Sequence, residues 1–211
     1  MTETTVVHLL RHGEVYNPAG VLYGRLPGYH LSDNGRAMAD MVAKSIAGRD
    51  IVAVWSSPME RAQETAAPSA EALGGLAVVL DDRLIEATNV FEGKRLAGAV
   101  FKDPRNFWHI RDPRRPSWGE AYLDVVARMK SVIDSAKAAV RGHEILMVSH
   151  QMPIWIIRLA AENRRLWHDP RRRQCSLASL TSFTFEDDRL VTVGYTEPAA
   201  ILLKGNPIAG S

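Results

Sequence analysis

One cysteine, Cys175, is all the thiol chemistry in this 211-residue chain. A single thiol closes no internal disulfide and cannot build a cysteine-based zinc site, and such usage points to a reducing compartment. No apolar run approaches the length a helix needs to span a bilayer. Met1–Thr5 is polar, without the basic stretch and apolar segment of a secretory leader, so a cytoplasmic protein is expected. Excess charge is scarce too. The 26 basic and 24 acidic side chains nearly cancel to a formal +2, which excludes the global basic field that marks many nucleic-acid binders. Internal repeats and low-complexity linkers are absent. An apolar content of 46% is ordinary for one domain with a full core.

Short apolar runs alternate with helical patterns. Val6–Leu10, Ile51–Trp55, Leu76–Leu80 and Ile145–Val148 read as strands. Between and after them lie four helical stretches. Asp33–Ala47 is capped by Ser32 or Asp33 and turns Ala37, Met38, Met41, Val42 and Ile46 inward. Pro58–Leu73 is stopped by Gly74-Gly75. Ser117–Val140 repeats Ala121, Val125, Met129, Val132 and Ala136 at helical spacing, and Pro153–Ala161 follows the fourth strand. Ala178–Phe185 and Leu190–Tyr195 read as a closing strand pair, and the tail after Glu197 as a surface extension. This alternation predicts an α/β domain with a largely parallel sheet covered on both faces. The domain is placed at residues 1–200, the tail at 201–211, and Gly93–Pro116 is the least regular stretch.

Ligands of open α/β sheets bind beyond the carboxyl ends of strands. Arg11-His12-Gly13 follows the first strand. Ser56-Ser57-Pro58 follows the second, with Arg61 one turn into its helix. Ser149-His150-Gln151 follows the strand at 145–148. Two histidines and two arginines, far apart in sequence, should therefore converge at one sheet edge. Two guanidiniums match the oxygens of a phosphoryl group. An imidazole between them is a nucleophile at neutral pH. Gly13 lets the backbone approach without a Cβ. Phosphoryl transfer is mostly positioning and charge stabilisation, so the one part still needed is an acid for the leaving oxygen. Glu86, in Leu84-Ile85-Glu86 after the third strand, can fill that role if it is protonated.

The pieces "LLRHGEVYN", "SSPMERAQETA", "LIEATNVFEG", "WGEAYLDVVARM" and "VSHQMP" occur in this order from residue 6 to about 155. Together they resemble the histidine phosphatase superfamily, in its phosphoglycerate-mutase-like branch. The resemblance implies a three-layer α/β/α sandwich and a chemistry without cofactor or metal. It implies that His12 is phosphorylated in turnover, that Arg11, Arg61 and His150 form the phosphate pocket, that Asn17 contacts the phosphoryl group, and that Glu86 donates the proton. Two departures stand out. Gln151 replaces a glycine often found after the second histidine, so its backbone N–H faces phosphate while its side chain narrows the pocket. A second glutamate, Glu92, precedes Gly93 and is expected to order the segment after it. The resemblance also makes residues 93–118 a cap over the pocket. Tyr23, Gly24 and Arg25, with Trp108 and Arg111, are assigned to its substrate-facing side.

Other polar residues get plainer readings. His8 alternates with Val7 and Leu9 and is a packed histidine. His30, His109, His143 and His168 lack a partner set, and Glu14 supports structure rather than catalysis. "FKDPRNFWHIRDPRRPSW" at 101–118 mixes aromatics with cations in a way that suits single-stranded nucleic acid. The preferred reading is a cap that holds the non-reacting part of a substrate. "RRLWHDPRRR" at 164–173 reads as a solvated rim in preference to an oligomer contact. A small phosphorylated substrate is expected as partner, with no nucleic acid or membrane, and a homodimer is carried as an expectation. Hydrolysis of small phosphomonoesters is the preferred activity. The rivals are a mutase, which in the resembling family has a longer stretch between the positions of Glu86 and His150, and a non-catalytic module that binds a phospholigand or nucleic acid.

Overall fold

The computed structural model describes residues 3–95 and 119–203. In chain order it builds β1 (Thr4–Arg11), α1 (Asp33–Ile46), β2 (Ile51–Ser56), α2 (Glu60–Ala72), β3 (Val78–Leu80), α3 (Tyr122–Ala139), β4 (Glu144–Ser149), α4 (Gln151–Ala161), β5 (Leu180–Glu186) and β6 (Arg189–Thr196). Six strands form one sheet in the order β3-β2-β4-β1-β5-β6. The first four are parallel, whereas β5 runs antiparallel to β1 and β6 antiparallel to β5. The expected three-layer α/β/α sandwich is present, with a mixed sheet at its centre.

The central strands β1 and β4 are buried on both faces, which is why they read as near-continuous apolar runs. Val7, Leu9, Ile145 and Met147 pack with α3 and α4 through Val125, Met129, Val132 and Ile154. Leu10, Leu146 and Val148 pack on the other side with α1 and α2 through Met38, Val42, Ala62 and Ala66. Each fully buried Leu, Ile or Val contributes about 1.5–3 kcal/mol, so these layers dominate the stability of the sheet. His8 is packed as expected, its ring nitrogens on Ser182 Oγ at 2.7 Å and Glu144 Oε2 at 2.9 Å.

Three local expectations are corrected. Helix α1 starts as read, with Ser32 Oγ accepting from Gly35 N at 3.0 Å, but Ala37 faces solvent while Ala39 and Ala43 complete the buried stripe. Helix α3 begins at Tyr122; Ala121 is its exposed N-cap residue, and Ser117 lies outside the described residues. Of the segment after Glu197, the described residues up to Leu203 are docked on the domain rather than simply extended over its surface. Ala199 is buried, Ala200–Leu202 makes a 3-10 turn, and Asn34 Nδ2 donates to Leu202 O at 3.2 Å. Leu202 and Leu203 pack against the cluster that α1 covers, whereas Ile201 stays 83% exposed, and this partial burial offsets the lost freedom of the chain.

Candidate active site

The carboxyl ends of β2, β4 and β1 are adjacent in the sheet, so the three polar clusters arrive side by side. Leu10 pairs with Val148 and Arg11 with Ser149. The ladder continues past the strands, His12 N donating to Ser149 O at 3.1 Å and Ser57 N to Val148 O at 2.9 Å. Gly13 is held from two sides. Its N–H donates to Thr65 Oγ1 at 3.1 Å, and a Cβ on it would stand 2.6 Å from the carbonyl oxygen of Gly35. Glu14 braces the start of α1 as a structural residue, accepting from Ser32 Oγ at 2.6 Å and Asn34 Nδ2 at 3.1 Å.

His12 is buried and its tautomer is set. Nδ1 lies 2.8 Å from Gly13 O, a pure acceptor, so Nδ1 carries the hydrogen and Nε2 keeps its lone pair. Burial, then the charges of Arg61 and Arg11, hold its pKa well below the usual imidazole range. His150 stands alongside, ring centroids 5.2 Å apart. Arg61 Nη2 lies 3.3 Å from its Nδ1, which makes that nitrogen the acceptor and leaves the Nε2 hydrogen for Ser57 Oγ at 2.8 Å. Burial and Arg61 hold this imidazole neutral as well.

Arg11 and Arg61 are both 0% exposed. Arg11 Nη1 donates to Cys175 O at 2.7 Å and Arg61 Nη2 to Gly24 O at 2.6 Å. The Nε and Nη2 of Arg11 and the Nε and Nη1 of Arg61 have no hydrogen-bond partner among the described residues. Two buried cations that form no ion pair among the described residues are costly. Four unmatched donors converging beside a nucleophilic nitrogen suit the oxygens of one phosphoryl dianion.

Glu86 is carried in by a short 3-10 turn, Asp82–Leu84, whose Leu84 carbonyl accepts from Ser149 Oγ at 2.6 Å. Its carboxyl is buried, and burial raises its pKa against the pull of the Ala87 N–H and of Arg61, Arg173 and Arg11. That favours the protonated form a donor needs.

The remaining candidates sort unevenly. Tyr23 and Gly24, assigned to the cap side, are built into the inner wall. The Tyr23 ring lies under the Arg61 guanidinium at 4.8 Å and edge-on to His12 at 6.4 Å. Arg25 braces the acid, its Nε donating to Glu86 O at 2.6 Å. Glu92 orders its neighbourhood, accepting from Asn89 N at 3.3 Å. Asn17 spends its carboxamide on Val21, donating to its carbonyl at 2.8 Å and accepting from its N–H at 3.2 Å, so it clasps the 17–21 loop. Gln151 opens α4, where the helix dipole favours an anion, but its side chain turns to Cys175 O and Arg173. Trp108 and Arg111 lie outside the described residues. His30 and His143 form exposed pairs with Glu64 and Asp50. No set of His, Cys, Asp and Glu suited to a metal ion occurs among the described residues.

One correction concerns the rim. Arg171 and Arg172 are exposed, but Arg173 turns inward, and His168 is the residue that holds it. The available signal was topological. An antiparallel strand beside β1 must begin at the edge where β1 ends, so residues just before β5 enter the site. Arg11 N donates to Ser179 O at 3.0 Å and Ala178 N to His12 O at 3.3 Å, which is that arrival.

Comparison with known proteins agrees with this geometry. A Mycobacterium tuberculosis protein, Rv0525, is 55% identical over 203 residues, covering 95% of this chain and all of the relative. Phosphoserine phosphatase 1 of Hydrogenobacter thermophilus is 29% identical over 152 residues, 69% of this chain and 71% of that one. Among solved structures, the mycobacterial glucosyl-3-phosphoglycerate phosphatase Rv2419c superposes with a TM-score of 0.74 at 25% identity, covering 92% of this chain and 97% of that chain. The profile of the histidine phosphatase superfamily (branch 1) matches residues 7–198. Since that match runs from the first buried strand past the last one, this chain belongs to the histidine phosphatase superfamily.

Proposed function

We propose that the protein is a phosphatase of small phosphomonoesters that works through a phosphohistidine on His12. The observation that carries the reading is the lone pair of His12 Nε2, fixed by the Nδ1 contact to Gly13 O and flanked by the unpartnered donors of Arg11 and Arg61. Nε2 attacks phosphorus in line, the ester P–O bond breaks, and Glu86 gives its proton to the leaving oxygen. Water then loses a proton to the Glu86 carboxylate and attacks phosphorus. The P–N bond breaks, and phosphate leaves with His12 restored. Arg11 and Arg61 hold the non-bridging oxygens in both steps, with His150 beside them. The phosphatase names of the Hydrogenobacter relative and of the mycobacterial structure support a hydrolytic reading.

The test is phosphate release from 3-phosphoglycerate and from p-nitrophenyl phosphate; isomerisation of the former without release would overturn the reading. The pH profile of kcat/KM gives a second check. His12 must be neutral, so the acid limb lies below the ordinary histidine range, and Glu86 must be protonated, so the alkaline limb lies above the ordinary carboxylate range. Glu86→Gln is expected to remove the alkaline limb. It should lower kcat/KM for alkyl phosphates by about 10²-fold or more and for p-nitrophenyl phosphate far less, because kcat/KM reports the first step and a nitrophenolate leaves without a proton, while kcat falls for both as the water loses its base.

A further inference from the structure

Arg173 takes no part in the scheme above, yet it is built in with care. Its Nε donates to His168 Nε2 at 2.8 Å and its Nη1 to Gln151 Oε1 at 3.2 Å. The first contact is set from behind. His168 Nδ1 donates to Leu166 O at 2.6 Å, which leaves Nε2 as the acceptor, and the ring sits between Tyr122 and Trp155 at 6.0 and 5.9 Å. Burial takes the His168 pKa down to about 4, so at neutral pH it is an uncharged acceptor. Gln151 is uncharged too. Arg173 is therefore partly buried between two neutral acceptors, and it forms no salt bridge among the described residues. Its Nη2 has no hydrogen-bond partner among them either. Ordering and desolvating a guanidinium without an ion pair is unfavourable, and nothing in the core gains from it.

The cavity it lines explains the arrangement. Arg173 shares that cavity with Glu86, Tyr23, Gly24, Met152 and Asn89, and His12 is not part of its wall. In the proposed reaction the carboxyl of Glu86 faces the leaving oxygen. The cavity that includes Glu86 but not the nucleophile is then the leaving-group side. With Glu86 protonated, Arg173 is the one full charge among the described residues of its lining. We infer that Arg173 is a specificity residue that binds an anionic group, a carboxylate or a second phosphate, carried on the leaving-group side of the substrate. The identification of that side rests on the phosphatase reading. A guanidinium fixed at two of its nitrogens presents the third in a defined direction, which suits an oxyanion.

The test separates this role from a mere effect on Glu86, which would weaken neutral and anionic substrates alike. Dissociation constants are measured by calorimetry on the non-reacting His12→Ala protein for three pairs: 3-phosphoglycerate against glycerol 3-phosphate, 4-carboxyphenyl phosphate against phenyl phosphate, and fructose 1,6-bisphosphate against fructose 6-phosphate. The anionic member of the first two pairs, or of the third, is expected to bind roughly tenfold or more tightly. The first two report a carboxylate and the third a second phosphate. Adding Arg173→Gln should bring the ratio to within about twofold of unity, given the size of one charge-assisted contact. Gln151→Glu, nearly isosteric and placing a carboxylate on Arg173 Nη1, should do the same without emptying the position. Ratios near one in all three parent pairs, or a parent ratio that both variants leave intact, would overturn the assignment. Phosphate release by the wild-type protein is recorded for the same compounds. Release with flat ratios removes the Arg173 role alone; ratios that behave as stated without release remove the hydrolytic reading alone.

Discussion

His12→Ala is expected to lower phosphate release by roughly 10⁴-fold or more, because a covalent route loses its nucleophile and no other group takes its place. Within the described site the one other imidazole is His150, and its Nε2 hydrogen is engaged with Ser57 Oγ while its Nδ1 faces Arg61. The fold should survive. His12 is anchored to the sheet by its backbone, N–H to Ser149 and carbonyl to Ala178, and alanine keeps both bonds. The check has two parts. Wild type quenched during turnover of a labelled substrate should carry an acid-labile, base-stable phosphoryl group, and His12→Ala should carry none while keeping its thermal transition. Substantial residual turnover in the variant would remove the phosphohistidine from the mechanism.

Arg61→Met should separate activity from stability. Arg61 supplies two of the four unpartnered donors and the contact to His150, so kcat/KM is expected to fall by about 10²–10³-fold, the scale of losing a transition-state donor. The unliganded variant should nevertheless melt close to wild type. Methionine abolishes a buried cation that stands near Arg11 and forms no ion pair among the described residues, and the penalty for such a charge is several kcal/mol. Against that stand two stranded acceptors, the Gly24 carbonyl and His150 Nδ1, at about 1–3 kcal/mol each, and the lost stacking on Tyr23. Inorganic phosphate should raise the melting temperature of wild type and leave that of Arg61→Met nearly unchanged, since ligand stabilisation follows occupancy. A large fall in the unliganded melting temperature would show that Arg61 is held for packing rather than for its charge.

Most of the sheet and the inner site were legible because two strong signals coincide in them. Strands buried on both faces must be apolar throughout, so Val6–Leu10 and Ile145–Val148 stand out, and polar residues directly after such strands have few reasons to be there other than chemistry. Weak signals failed where the physics gives them little contrast. Alanine differs little between a buried and an exposed helical face, so the apolar pattern of α1 points to Ala37 although Ala39 and Ala43 are the alanines that bury. Arg173 was hidden differently. A run of arginines reads as solvated, and the neutral partners that hold this one, His168 and Gln151, carry no charge pattern that would single it out. Asn17 shows a further limit: a residue type and position can suggest a ligand contact while the side chain also has a local loop to close.

The strand order has a consequence for how the protein is made. β4 lies between β1 and β2, yet it follows both in the chain by many residues. During synthesis the first two strands must therefore wait with open edges, and they cannot simply pair with each other, until the 144–149 segment slots between them. His12 and His150 meet only on that insertion, so anion affinity is a property of the completed sheet and of no earlier intermediate. Added phosphate is accordingly expected to slow unfolding while leaving the refolding rate almost unchanged, a pattern that stopped-flow folding kinetics across a denaturant series can check.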